Sequence, residues 1–279
     1  MMAGRMQSPS SINCYKQCPR KYYYRYIKKL PSKPRIELIR GKIVHSVLEH
    51  FFEEHPARTK EWRTSLHYHA HRLLERFWLQ AEPEMEKLDQ TPEELVMVKE
   101  ETSRMLINWV NHFCLQLKEV MDTGLGYEEA FRVLTPMREE EYRDEELNVR
   151  GFIDAVHGNN GTVTVLDYKT SKRPEITEEY RLQLGIYALL YSRKHNKSPD
   201  KAGIHFLRHD LQLIPVTDDL LLDAQFEIEQ VHNLTQTDKM KDYEKSPGPL
   251  CNYCDYYNEC FGQKTLVQLT TTPQTTDDE

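Results

Sequence analysis

Gly151-Phe152-Ile153-Asp154-Ala155-Val156, the turn Gly158-Asn159-Asn160-Gly161, and Val163-Thr164-Val165-Leu166-Asp167-Tyr168-Lys169-Thr170 form the stretch whose reading decides the fold. β-Branched and aromatic residues on both sides of an Asn/Gly turn are a hairpin signal. The spacing predicts strands from Leu147 to Val156 and from Thr162 to Tyr168, with Asp154 near the end of one and Asp167 on its neighbour. Residues two apart on a strand face the same side, which places Lys169 beside Asp167. Hard divalent cations such as Mg²⁺ take oxygen ligands, often one or two carboxylates with water and substrate phosphate. An ammonium beside them can orient the attacking water and offset phosphate charge. An isolated Asp-x-Lys reads as solvated turn chemistry, but this one follows an apolar strand, where a buried sheet opens.

Outward from the hairpin, the pattern predicts a strand from Phe131 to Tyr142 before it. After it come a helix from Glu178 to His195, strands from Gly203 to Leu207 and Leu211 to Val216, and a helix from Asp218 to Leu234. Upstream, Ser8-Pro9-Ser10-Ser11 opens a helix that ends near Cys18, because Pro19 disfavours helical backbone before it. A helix from Ile39 to Glu54 would bury Val44, Val47, Leu48, Phe51 and Phe52. Two longer helical patterns, Glu61 to Gln80 and Pro92 to Met121, suggest a helical subdomain. The chain thus divides into a basic segment (1–40), a helical region (41–130), a core (131–240), a cysteine-rich segment (241–264) and a disordered Thr-rich, acidic tail (265–279).

These residues resemble the PD-(D/E)XK nuclease superfamily, specifically its RecB-like branch, which includes the RecB and AddB nuclease domains and CRISPR-associated nucleases. Asp154 matches the acid of that branch's Gly-x-x-Asp strand, and Asp167-Tyr168-Lys169 its (D/E)-x-K strand, with Asp where many relatives carry Glu. Gly41-Lys42-Ile43-Val44-His45 looks like the helix that presents a histidine to the metal, and Gln183-Leu184-Gly185-Ile186-Tyr187 like the Gln-x-x-x-Tyr motif. The order of the six residues across roughly 8–262 carries the likeness; His45 alone, or the Gln183/Tyr187 pair alone, would read as helix packing. The resemblance implies an α/β restriction-endonuclease-like core, a central mixed β-sheet flanked by helices, with a helical insertion and a C-terminal iron–sulfur segment. It further implies Mg²⁺ or Mn²⁺ at His45, Asp154 and Asp167, and catalysis by Asp154, Asp167 and Lys169 with Gln183 and Tyr187.

Six cysteines in a chain read as intracellular favour ligand chemistry over disulfides. Cys251, Cys254 and Cys260 supply three thiolates within ten residues, one short of a four-ligand site. The resemblance offers Cys18 as the fourth and a [4Fe–4S] cluster as the occupant, stapling the two ends of the fold. Structural Zn²⁺ fits four thiolates equally well by spacing, and Cys14, one helical turn before Cys18, is the alternative distant ligand. Cys114 sits in an apolar helical pattern and reads as core.

The net charge of −7 does not advertise a nucleic-acid binder, yet ten basic residues against one acid, Glu37, lie between Lys16 and Lys42. There Arg20, Lys21, Tyr22 and Arg25 combine cations with rings, the chemistry of single-strand binding; Lys172 and Arg173 would add phosphate contacts beyond the catalytic strand. No apolar run reaches the roughly 20 residues needed to cross a bilayer, and the start MMAGRMQSPSS has no secretion signal, so an intracellular place, cytoplasm or nucleoid, is expected. No phosphate-binding loop of a motor is present, so unwinding would need a helicase partner. The expected activity is a metal-dependent single-strand DNA exonuclease of repair, recombination or CRISPR spacer processing. The alternative is a non-catalytic or partner-dependent iron–sulfur DNA-binding subunit of a helicase–nuclease or integrase complex.

Overall fold

The computed structural model describes residues 4–53, 61–159 and 161–262. Helix α1 (Pro9–Gln17) starts at a capping box in which Ser8 and Ser11 bond each other's backbone N–H groups. Pro19 ends that helix and, with its missing N–H at the first helical position, starts α2 (Pro19–Tyr22), which continues as one π-helical turn, Tyr23–Ile27. Then come α3 (Ile36–His50), α4 (Trp62–Met85) and α5 (Pro92–Asp122), the last capped by Thr91 and Glu94. Helix α4 runs past the expected stop at Gln80, with Pro83 in its last turn.

The strand expected from Phe131 to Tyr142 is corrected: its first third, Phe131 to Leu134, belongs to helix α6 (Tyr127–Leu134), and the strand β1 spans Met137–Asp144. The signals for the helix were present, with Gly126 at the cap, Glu128 and Glu129 in the first turn, and Ala130, Phe131 and Leu134 making one buried face. Strands β2 (Val149–Asn159) and β3 (Thr162–Lys169) form the antiparallel hairpin. Helix α7 (Glu178–His195) crosses to β4 (Lys201–Phe206), which runs parallel to β3; β5 (Leu211–Pro215) returns antiparallel, and α8 (Asp218–Leu234) follows. The short helix α9 (Tyr257–Phe261) carries Cys260. The result is a mixed five-stranded sheet, β1-β2-β3-β4-β5, with helices on both faces. The expected tail, 265–279, lies outside the described residues.

One face packs on α3, α4, α5 and α6, with Phe51, Trp109, Phe113 and Phe131 at its centre against Ala155, Leu166 and Tyr168. The other packs on α1, α7 and α8, where Ile12, Tyr187, Leu190 and Ile228 meet Val149, Ile153 and Val165. Strand alternation should send Ile153 and Ala155 to one side, yet they belong to opposite faces. The reversal falls at Asp154. Across the ladder, the paired residues pass from Arg138↔Ala155 to Glu140↔Ile153, and the residue between, Glu139, has φ +46°. Such left-handed backbone in a bulky residue costs about 1–3 kcal/mol and persists only where the surroundings enforce it.

Candidate metal and catalytic site

Carrying the β2–β3 register one step beyond Ala155↔Leu166 sets Asp154 opposite Asp167. Both are buried, Asp154 at 8% and Asp167 at 2% exposure, at the floor of a cleft of about 690 Å³. Asp154 Oδ2 accepts the backbone N–H of Tyr168 at 2.7 Å, locking the carboxylate to the neighbouring strand, while Oδ1 lies 3.2 Å from His45 Nδ1. The buried stripe of α3, including Val44, Val47 and Leu48, seats that helix so that His45 reaches the sheet. Its other nitrogen, Nε2, stands 3.1 Å from the Tyr168 carbonyl; a proton there donates to the carbonyl and leaves Nδ1 facing the acids.

The third member was not singled out from sequence: Glu139 Oε1 is 3.6 Å from His45 Nδ1. His45, Glu139 and Asp154 place their ligand atoms within 4.8 Å of one another, the sole such group of three or more among the described residues. Glu139 sits in the acidic run from Glu139 to Glu146, which reads as a solvated edge. Only the reversal of alternation at its unusual φ aims it inward, and no local motif announces that.

Asp167 lies on the α7 side. Its Oδ1 accepts from Gln183 Nε2 at 2.8 Å, and the same nitrogen lies 2.9 Å from the Tyr187 hydroxyl, so Gln183 and Tyr187, one helical turn apart, act as a brace. That brace needs Gly151: a Cβ there would stand 2.9 Å from Tyr187 Cε1. Asp167 Oδ2 has Lys169 Nζ at 2.7 Å but no partner in hydrogen-bond geometry, leaving a buried carboxylate oxygen under-satisfied. Burial, aided by Asp154, pushes the Asp167 carboxyl up to about 6 despite Lys169. For Lys169, burial favours the neutral amine, but Asp167 outweighs it and the group stays an ammonium, 5.4 Å from the Tyr180 ring centre. Burial likewise works against a charged His45, yet bonds to Asp154 and Glu139 raise it to about 10. Three acids are therefore held together by one imidazolium, His45, and one ammonium, Lys169. The donor set, one imidazole and hard carboxylates, fits a divalent cation such as Mg²⁺ or Mn²⁺.

The cysteines meet at the other end of the N-terminal segment. Cys18, Cys251, Cys254 and Cys260 line one cavity, with no disulfide among them. Cys14 is not among its lining residues; it is buried, and burial pushes its thiol up to about 11, the opposite of what a thiolate ligand needs. Cys114 packs in the core beside Phe113 and Leu117. Tyr22, expected to meet nucleic acid, is corrected: it is 0% exposed, packed with Tyr23, Tyr24, Tyr243 and Tyr256 beside the cysteines, so its ring cannot reach a base. Arg20 and Lys21 line the cysteine cavity rather than the cleft, and Arg20 Nε donates to the Tyr243 carbonyl at 2.7 Å. Arg25, Lys172 and Arg173 are exposed.

The comparisons with known proteins agree with this geometry. The model of the PD-(D/E)XK nuclease superfamily matches residues 7–261. Gene 69 protein of Mycobacterium phage L5 is 25% identical over 288 residues, covering 91% of this chain and 96% of that protein. A crystal structure from Eubacterium rectale named "Putative exonuclease" superposes with a TM-score of 0.52 at 14% identity, covering 96% of this chain and 93% of that one, a likeness of fold. With the family pattern spanning nearly the whole chain and its acids and lysine meeting on the sheet, the chain belongs to the PD-(D/E)XK nuclease superfamily.

Proposed function

We propose that this nuclease is a Mg²⁺- or Mn²⁺-dependent deoxyribonuclease acting on single-stranded DNA or single-stranded ends. The observation that carries the reading is the meeting of His45, Glu139 and Asp154 within 4.8 Å, beside the under-satisfied Asp167 and its ammonium partner Lys169. His45, Glu139, Asp154 and Asp167 would hold the cation, which supplies Lewis-acid activation of water and phosphate. Lys169 orients the water and offsets charge as the water oxygen attacks phosphorus and gives its proton to solvent, while the P–O bond to the sugar oxygen breaks and that oxygen leaves with a proton from solvent. Gln183 and Tyr187 fix Asp167. Lys172 and Arg173, just past the catalytic strand, would hold flanking phosphates. The exonuclease character, a role in repair, recombination or CRISPR spacer processing, the RecB-like branch, and a helicase or integrase partner belong to the same proposal. Among the described residues no helix is long and apolar enough to cross a membrane.

For the cysteines we propose a [4Fe–4S] cluster on Cys18, Cys251, Cys254 and Cys260. The four thiols face one cavity, which supports a single shared occupant, and iron and zinc contents separate the cluster from a zinc site. Arg20, Lys21 and Lys245 around the same cavity suit a cluster whose thiolates carry negative charge.

The test is digestion of end-labelled single-stranded DNA across Mg²⁺ and Mn²⁺ concentrations, with visible absorbance and iron and zinc content measured on the same sample. A metal-dependent product ladder and a coloured, iron-bearing protein are expected. No cleavage in either metal contradicts the nuclease assignment, and a colourless protein with bound zinc contradicts the cluster.

A further inference from the structure

Besides His45, the catalytic cleft is lined by three basic side chains, Arg5, Arg150 and Lys169, and three acids, Asp154, Asp167 and Glu179, and they are not evenly paired. Lys169 is paired with Asp167, and Arg150, on the same cleft, is 3.1 Å from Glu141. Arg5 lines the cleft too, yet neither it nor the exposed Arg25 makes an ion pair among the described residues. Both guanidiniums lie over one ring: Arg5 is 4.6 Å and Arg25 5.4 Å from the centre of Tyr26, itself part of the cleft wall. Two guanidiniums against one aromatic ring, neither paired with a carboxylate, concentrate positive charge where an anion would be attracted.

Arg5 is also mounted rather than loose. Its Nη2 donates to Gln7 Oε1 at 3.2 Å and to the Tyr22 hydroxyl at 3.3 Å. Gln7 is 1% exposed, bridged to Val149 at the start of β2 and hydrogen-bonded through its amide to Tyr22. The strand that delivers Asp154 thus also anchors the mount of Arg5. Nη1 has no partner among the described residues. A planar guanidinium held this way has already lost the rotamer freedom that binding would otherwise remove, and its free edge suits the geometry of a phosphate.

We propose that Arg5 and Arg25, set around Tyr26, form a phosphate-binding station for the DNA strand that the catalytic site cuts; this rests on the nuclease reading above. The station takes phosphate chemistry, an internal backbone phosphate or a strand's terminal phosphate, and reads no base. It registers the strand along the cleft wall between the N-terminal segment and β2, and so sets which linkage reaches Asp154 and Asp167.

The test measures binding of a single-stranded oligonucleotide by fluorescence anisotropy in EDTA over a salt series, with steady-state cleavage in Mn²⁺ alongside. Arg25→Gln alters an exposed side chain and leaves the fold alone; Arg5→Gln and Arg5→Lys are each checked by thermal melting, because Arg5 also touches Gln7 and Tyr22. Each Gln variant is expected to lower the slope of log affinity against log salt by about 0.7 and to weaken binding about five- to tenfold regardless of sequence. KM rises by a like factor while kcat changes less than about twofold, and Arg5→Lys restores much of the loss. Linear strands with a 5′-phosphate, linear strands with a 5′-hydroxyl, and circular strands separate the sources. A loss confined to the phosphorylated end identifies a terminal phosphate, and an equal loss on all three identifies internal ones. Folded Arg5→Gln and Arg25→Gln proteins with wild-type slope and KM overturn the station. A wild-type protein that neither binds nor cuts single strands overturns the nuclease reading instead.

Discussion

The cleft and the cysteine cavity both gather metal-ligating side chains, but they are assembled differently. In the cleft, each carboxylate is already tied to its neighbours: Asp154 to the Tyr168 N–H and His45, Asp167 to Gln183 and Lys169, with the sheet packed on both faces beneath them. At the cavity, thiols from residues 18 and 251–260 face one space without a bond among them, and a cluster of tyrosines supplies the surrounding contacts. The first site is held by the protein and would use its metal for chemistry. The second brings distant parts of the chain together and would use its metal for structure. Removing a ligand should therefore damage activity in one place and folding in the other.

Asp167→Asn gives the largest separation on the activity side. Cleavage should fall on the order of a thousandfold, since it removes both a ligand and the anchor of Lys169. Single-strand affinity should stay within a few-fold and the cooperative melt should persist. Loss of binding and melt together would mean that the cleft is not preformed. Cys254→Ser probes the other arm. Absorbance from a cluster should vanish and stability should drop by roughly 3–5 kcal/mol, about 10 °C in melting temperature for a chain of this size. A Cys254→Ser protein that melts like the wild type would remove the distinction between the two sites.

Glu139→Gly tests whether strain and function share one residue. Glycine adopts φ +46° freely, so the metal-free protein should melt at the same temperature or slightly higher, a gain of about 1 kcal/mol at most. The Mn²⁺ concentration for half-maximal cleavage should rise about tenfold or more, because one carboxylate is gone. Equal metal dependence would show that Glu139 is not a ligand.

An effect on stability alone, separate from both sites, comes from the sheet face away from α7, where His112, His157 and His205 line a cavity of about 200 Å³. Burial, with His112 nearby, lowers both His157 and His205 to about 4. An unfolded histidine titrates near 6.5, so between about 6.5 and 4 the unfolded chain binds protons that the native one refuses. Stability is full above that window and falls as pH drops through it, by a few kcal/mol at most. Urea melts at pH 7 and pH 5 should show the fall, and His205→Gln should remove about half of it, leaving the share of His157. Identical profiles for variant and wild type would exclude His205 as a source.

How much of this was legible follows from what is local. The hairpin, the α7 pair Gln183/Tyr187 and the cysteine spacing are each encoded within a few residues, and they stand together as the spacing suggests. His45 was recognisable through the motif around it, although the stripe that seats α3 is ordinary helix packing. Helix α6 was misread as strand because Phe131 and Val133 alternate, while the spacing of Ala130, Phe131 and Leu134 fits a helix; short apolar runs satisfy both periods. Glu139 and the burial of Tyr22 depend on contacts between distant segments, which no local pattern contains. Arg5 escaped for the same reason: its ring partners come from 17 to 21 positions further on.

The measurement that bears most directly on the central claim is the single-turnover cleavage rate of end-labelled single-stranded DNA by Asp154→Ala and Lys169→Ala in saturating Mn²⁺, beside the wild type. Both variants should fold and bind DNA, and each should lose at least a hundredfold in rate. Full cleavage by both would contradict the assignment of Asp154, Asp167 and Lys169 as the residues that cut.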